Sequence, residues 1–330
     1  MKCAVIGAGA WGTALANVLA ANGHAVALWA REPDVVDAIN AARENRRFLP
    51  GVCVSESVTA TGTIGSALGN APLVTFVAPS HALRDVVVEG APSIDPNAVL
   101  VVASKGIERG SLAIMSDVVG VSSPNHPVVA LSGPTFAAEV ARGQPTAVVA
   151  ASVDQDAAER VQRALSSEVF RVYTHDDVIG VELGGALKNV MAVATGIAEG
   201  LGLGFNSRAA LITRGLAEMT RLGVALGASQ ATFAGLAGLG DLVLTCTGAL
   251  SRNRALGIEI GKGSTLEQAL AGKDTVAEGV LNTISARALA EREQVDMPIV
   301  LAVHRILFEA QPPRLAIAEL MRRELRPERD

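Results

Sequence analysis

Aromatic side chains are scarce in this chain: of 330 residues, two are Trp, one is Tyr and seven are Phe. Surfaces that stack nucleobases need aromatic faces, and those that grip polyanions need positive charge. With a net charge of −5, the chain has neither, so no nucleic acid or anionic membrane is expected as a partner. Cysteine is rare as well. Cys3, Cys53 and Cys246 are far apart and show no disulfide or metal-ligand spacing, which suits a reducing cytoplasm. The five histidines are scattered too, so no metal is expected. Charged residues, at 18%, are too few for a disordered chain, while 49% hydrophobic content over this length can fill the cores of two domains. Uninterrupted apolar runs are also missing. The apolar stretch from Met1 to Ala30 is broken at Gly7, Gly9, Gly12 and Gly23 and carries a single positive charge, on Lys2. It reads as folded structure, with no signal peptide and no stable membrane insertion.

What is present divides the chain in two. The first half alternates apolar strand-like runs with helical stretches: "CAVIGAG", "AVALW", "LVTFVAPS", "VLVVASKG", "VVALSGP", "TAVVAAS" and "FRVYT". Apolar strands separated by helices indicate a doubly wound, mostly parallel sheet covered on both faces. After Asp177 the period becomes helical, over 178–199, 207–226, 265–270, 278–293 and 297–308, with no convincing strand. The fold class is therefore α/β: a Rossmann-type domain over 1–176, then an all-helical domain over 177–330. The tail "RRELRPERD" reads as a solvated, fraying end.

"VIGAGAWG" places Gly7, Gly9 and Gly12 after a strand and at the opening of a helix. In this G-x-G-x-x-G pattern the first glycine permits the turn, the second admits a pyrophosphate and the third allows close packing. Lys105, Gly133, Thr135 and Ala137 follow later strands, on the side where such sheets bind ligands. Lys105 has the bland alternative of a solvated turn residue, and Thr135 that of a helix cap.

"VELGGALKNVMAVATGIAEG" carries Lys188 in the middle of an apolar helix with hardly a charge nearby in sequence. Gly184, Gly185, Ala192 and Thr195 lie above and below it on the helix face. Such small neighbours provide either a groove for a ligand or close helix packing. Further on, Ser251 reads as an N-cap followed by Arg252 and Asn253, a combination that suits a phosphate. Asp241 suits a substrate hydroxyl or a helix cap. Thr275 and Glu278 have the spacing of a capping box.

In order along the chain, "GAGAWGTALA", "FLPG", "SKG", "LSGPTFA", "ELGGALKNVMAVATGI", "GLGDLVLTCTG" and "SRN" closely resemble the bacterial NAD(P)-dependent glycerol-3-phosphate dehydrogenases. The resemblance implies a cytoplasmic enzyme that interconverts dihydroxyacetone phosphate and sn-glycerol 3-phosphate for phospholipid synthesis. It implies Lys188 as the catalytic proton-transfer residue. Lys105, Gly133, Thr135, Lys188, Asp241, Ser251, Arg252 and Asn253 would surround the substrate. Gly7, Gly9, Ala10, Trp11, Gly12, Arg31, Lys105, Ala137, Arg252, Val276 and Glu278 would line the cofactor. Ala10 departs from the serine usual there. The resemblance also suggests a homodimer. Two alternatives remain at this point: another two-domain 3-hydroxyacid-type dehydrogenase, and a non-catalytic dinucleotide sensor.

Between NADH and NADPH the sequence leans slightly to NADPH. The second strand ends in Ala30-Arg31-Glu32, and an arginine there can pair with a 2′-phosphate. Glu32 has the spacing of a ribose-binding acid, but it also suits the first turn of the helix that follows.

Overall fold

Runs such as Leu73–Phe76 and Val99–Val102 have no polar face to give to solvent, and every residue in both is buried. The computed structural model describes residues 1–272, 277–325 and 327–328. Its strands, in chain order, are β1 (Lys2–Ile6), β2 (Ala25–Trp29), β3 (Glu44–Asn45), β4 (Leu49–Cys53), β5 (Val58–Thr61), β6 (Leu73–Phe76), β7 (Val99–Val102), β8 (Val128–Ser132), β9 (Thr146–Ala151) and β10 (Phe170–His175). Eight form one sheet in the order β10-β9-β8-β7-β6-β1-β2-β5, and β3 with β4 makes a separate hairpin. The chain leaves β1 toward β2 and β5, then returns to β6 on the other side of β1. That reversal opens a crevice at the C-terminal ends of β1 and β6, where open α/β sheets bind ligands.

Apolar cores lie on both faces of the sheet. Leu15, Leu19, Ile39 and Val161 fill one side, and Ile64, Leu83, Val87 and Val118 the other. One pairing departs from the parallel pattern: β8 and β9 are antiparallel. Their connection holds only a five-residue helix, Ala137–Ala141, about 7.5 Å long at ~1.5 Å per residue. It is too short to carry the chain back along a strand of about 16 Å, so β9 runs the other way.

Asp177 caps the helix Val178–Gly200, its Oδ1 accepting the Gly180 N–H at 2.9 Å. This helix is apolar on all sides and almost wholly buried, as an all-round apolar helix must be. It is long and apolar enough to cross a bilayer, yet 89% of its most apolar window is covered by the protein itself. Around it stand Phe205–Ala225, Asp241–Thr247, Arg252–Gly261, Glu278–Arg292 and Pro298–Phe308. The segment expected over 265–270 is a short helix, Leu266–Leu270, held by a capping box between Thr265 and Gln268.

"GIAEG" (196–200) and "GIEIG" (257–261) share a G-x-x-x-G spacing and face each other across two helices. A Cβ on Gly196 would lie 2.1 Å from the Arg254 carbonyl oxygen, and one on Gly257 would lie 2.2 Å from that of Val193. Backbones can approach this closely only where no side chain intervenes. Gly257→Ala should therefore destabilise the protein by about 2–3 kcal/mol through overpacking. Gly120→Ala, on a helix where a Cβ meets nothing within 4 Å, should instead add about 0.5–1 kcal/mol. Denaturant unfolding of the two variants checks both signs.

Candidate functional site

The glycine loop leaves β1 at the reversal of strand order. Gly7 has φ +122°, and a Cβ there would lie 2.9 Å from the Val77 carbonyl oxygen; on Gly12 it would lie 1.8 Å from that of Gly7. The protein's own packing thus requires both. Gly9 differs, since a Cβ there meets nothing within 4 Å. Gly9 is also the N-cap of the helix Ala10–Ala21 and offers no capping side chain. The loop keeps open space in front of unpaired helix N–H groups, which is the cradle a pyrophosphate requires. Asn45, fully buried, braces it from the hairpin. Its Nδ2 donates to the Ala8 carbonyl and Thr13 Oγ1, each at 2.8 Å. Trp11 and Ala137 are half-buried and pack against the core beneath the loop, and Ala10 starts the helix.

Lys188 has found a charge that its neighbours in sequence do not supply. Its Nζ donates to Asp241 Oδ1 at 2.6 Å and to Thr245 Oγ1 at 2.8 Å. Lys105 Nζ reaches the other carboxylate oxygen at 2.6 Å, the Gly133 carbonyl at 2.9 Å and Thr135 Oγ1 at 3.4 Å. Side-chain exposure is 1% for Asp241, 9% for Lys188 and 16% for Lys105. Two buried ammonium groups therefore share one carboxylate. Burial is the main cause that lowers the Lys188 pKa, to about 8; Asp241 opposes the shift and Lys105 adds to it. Lys105 is not a solvated turn residue. Thr135 caps nothing, because Phe136 is the N-cap of the following helix and the Thr135 hydroxyl donates to the Gly133 carbonyl at 3.1 Å. Asp241 is not a cap either, since Gly240 holds that position.

The small residues around Lys188 do not leave a groove. A Cβ on Gly184 would lie 2.5 Å from the Ala237 carbonyl oxygen, and one on Gly185 would lie 2.7 Å from Ser132 Oγ. Close contact is the reason for both glycines. They admit the π-helical turn Leu236–Gly240, which delivers Asp241, and the end of β8.

Ser251 is the N-cap of the helix Arg252–Gly261, its Oγ accepting the Arg254 N–H at 3.2 Å. Asn253 bridges two helices: its Nδ2 donates to Asn189 Oδ1 at 2.9 Å and its Oδ1 accepts the Gly279 N–H at 3.0 Å. Arg252 is exposed and hydrogen-bonds no described residue. Glu278 forms no capping box, because its helix begins at Glu278 itself with Ala277 as N-cap. Its carboxylate instead accepts Ser80 N at 3.1 Å and Ser80 Oγ at 2.6 Å, across from the end of β6. Thr275 and Val276 lie outside the described residues. Arg31 follows β2, 80% exposed, and pairs with Glu32 at 3.1 Å. Glu32 is the N-cap residue of the next helix and makes no capping bond.

A family model described as the NAD-dependent glycerol-3-phosphate dehydrogenase N-terminus matches residues 2–158, and its C-terminal counterpart matches residues 177–318. The chain belongs to the NAD-dependent glycerol-3-phosphate dehydrogenase family. Among curated members, glycerol-3-phosphate dehydrogenase [NAD(P)+] of Trichlorobacter lovleyi is 55% identical, covering 99% of both chains. The crystal structure of glycerol-3-phosphate dehydrogenase from Coxiella burnetii is 43% identical with a TM-score of 0.94, covering 98% of this chain and 99% of that one. A ketopantoate reductase from Ralstonia eutropha, at 18% identity and a TM-score of 0.61 over 97% of this chain and 100% of that one, shares the fold.

Within this dehydrogenase-family fold, four residues that touch the site were not evident from sequence: Thr245, Asn189, Asn45 and Ser80. Thr245 and Asn189 had a readable signal, being one helical turn past Asp241 and next to Lys188. Ser80 closes the run "LVTFVAPS", whose strand pattern gives no role to its last residue, and Asn45 stands in a segment with no periodic pattern.

The two kinds of glycine in the loop should separate by experiment. Gly9→Ala should unfold like the parent protein, since φ is −67° and the space is open, yet lose NADH and NADPH affinity about tenfold or more, as one displaced phosphate contact of ~1.4 kcal/mol would give. Gly12→Ala should lower the melting temperature. Thermal unfolding and cofactor titration on both variants make the comparison.

Proposed function

We propose that the protein reduces dihydroxyacetone phosphate to sn-glycerol 3-phosphate with a nicotinamide cofactor, running chiefly in this direction to supply phospholipid synthesis. The observation that carries the reading is the Asp241 carboxylate shared by Lys105 and Lys188 at the C-terminal edge of the sheet. The bound cofactor supplies the hydride, and the open space at Gly9 fits its pyrophosphate. As negative charge builds on the carbonyl oxygen, the Lys188 ammonium stabilises it and hands over the proton. Asp241 and Thr245 hold Lys188 in place, and Lys105 adds a second positive charge beside the substrate. Two ammonium groups and one carboxylate leave a net positive site suited to an anionic substrate. Arg252, which hydrogen-bonds no described residue and feels the Glu278 carboxylate only as a nearby charge, would meet the phosphate together with the helix N-terminus that Ser251 opens. An arginine at a helix start that hydrogen-bonds no described residue is of no use to a non-phosphorylated hydroxyacid, and a sensor has no need of the buried lysine pair.

The same reading divides the chain into a cofactor domain over 1–176 and a substrate domain over 177–330. Its three free thiols fit a cytoplasmic enzyme. We favour NADPH over NADH on the exposed Arg31 at the crevice end of β2.

Lys188→Ala should lower turnover by about 10²–10³-fold, with more lost through proton transfer, while cofactor affinity stays near the parent's. The assay is oxidation of NADPH and NADH dependent on dihydroxyacetone phosphate, and near-normal turnover would sink the assignment. The parent's pH profile follows from the lysine. Reduction needs the protonated form, so its rate should fall as pH rises through about 8, while alcohol oxidation should rise over the same range. Asp241→Asn removes an influence that raises the Lys188 pKa, so the alkaline limb should move to lower pH.

Arg31→Ala should raise the Michaelis constant for NADPH about tenfold, the ~1.4 kcal/mol of one charge-assisted contact, and leave that for NADH nearly unchanged. Equal losses for the two cofactors would show that Arg31 does not read the 2′-phosphate.

A further inference from the structure

Arg254 stands one residue beyond the Ser251-Arg252-Asn253 motif and is only 14% exposed. Its Nε and Nη2 donate to the two Glu199 oxygens at 3.0 and 2.7 Å, and its Nη1 to the Gly248 carbonyl at 3.3 Å. Glu199 ends the helix that carries Lys188, and Gly248 ends the helix that carries Asp241 and Thr245. One guanidinium thus ties the last turns of both helices to the start of the helix that Ser251 caps. The Gly248 carbonyl also accepts the Ser251 N–H at 3.2 Å, closing a tight turn through Ala249 and Leu250, both exposed. Gly248 itself has no room to shift toward its neighbours. A Cβ there would lie 2.4 Å from the Phe136 ring and 2.7 Å from the Leu244 carbonyl.

Arg254 is badly placed to bind an anion itself. Both edges of its fork are committed, and Glu199 neutralises its charge while also pairing with Arg208 at 2.7 Å. Arg252 is the opposite case, a guanidinium that hydrogen-bonds no described residue, with Glu278 acting on it only as a nearby charge, and its direction depends on the turn it leaves. We infer that Arg254 is a positioning residue for the substrate's phosphate. By fixing the turn Gly248–Ser251 against Glu199, it sets the direction in which the helix N–H groups and Arg252 converge. The inference rests on the proposed substrate. Its geometry calls for arginine specifically, since lysine keeps the charge but cannot span a carboxylate and a carbonyl with one planar fork.

The test compares Arg254→Lys, Glu199→Gln and Arg252→Ala with the parent enzyme, using dihydroxyacetone phosphate and phosphate-free dihydroxyacetone. Arg254→Lys should raise the Michaelis constant for dihydroxyacetone phosphate about tenfold, with kcat within about threefold of the parent and cofactor constants unchanged, the pattern of lost uniform binding. Its kcat/KM for dihydroxyacetone should match the parent's, because no phosphate needs placing. In the Arg252→Ala background, Arg254→Lys should cost much less than alone, since the two act on one contact. Glu199→Gln, which keeps the side chain's size, should repeat the effect more weakly and serves if Arg254→Lys does not fold. Equal losses on both substrates, or full additivity with Arg252→Ala, would overturn the inference and leave Arg254 a packing residue. An inactive parent enzyme would instead overturn the proposed function.

Discussion

Asp241 holds two ammonium groups that would otherwise repel each other in the protein interior. Each lysine comes from a different part of the chain, Lys105 from the loop after β7 and Lys188 from the long buried helix, and each lies 2.6 Å from the carboxylate. Burying a charge without a partner costs several kcal/mol, and breaking a buried pair typically costs about 3–5 kcal/mol. The site's chemistry and the docking of the helical half onto the sheet therefore depend on the same carboxylate. The lysine that would move a proton is also part of what holds the halves together.

Bringing that carboxylate to Lys188 sets strict conditions on the surrounding backbone. The π-helical turn before Asp241 lies directly on Gly184, and β8 ends against Gly185. Gly196 and Gly200 let a further helix press onto the same long helix, which brings Asn253 up to Asn189. Glycine inside a helix costs roughly 0.5–1 kcal/mol against alanine. In this helix the cost is offset by close backbone packing that puts side chains from three helices at one point.

Other polar contacts reinforce the junction. Glu182, buried, accepts the Ser116 N–H at both carboxylate oxygens, at 3.0 and 3.1 Å, at the start of a helix on the sheet. Burial raises its pKa to about 7. Ser80 and Glu278 make a second bridge, beside the crevice. In both, a carboxylate near the start of one helix accepts the backbone N–H at the start of another, where helix ends leave backbone donors unpaired.

Local chemistry made much of the molecule legible. Seven apolar runs marked strands because residues buried on both faces of a sheet have no other pattern available. The G-x-G-x-x-G loop, the helical second half and the oddity of Lys188 were legible for the same reason, since each depends on neighbours within a turn or two. The short polar strand Val58–Thr61, the hairpin that carries Asn45 and the helix Pro313–Met321 were not, having weak or mixed patterns. Only the tertiary structure decided what Lys188 and Lys105 would touch, because Asp241 lies 53 and 136 residues away from them. It also decided that the glycines beside Lys188 admit backbone instead of a groove. A side chain's period along one helix states which face it is on; what meets that face is settled by how the whole chain packs.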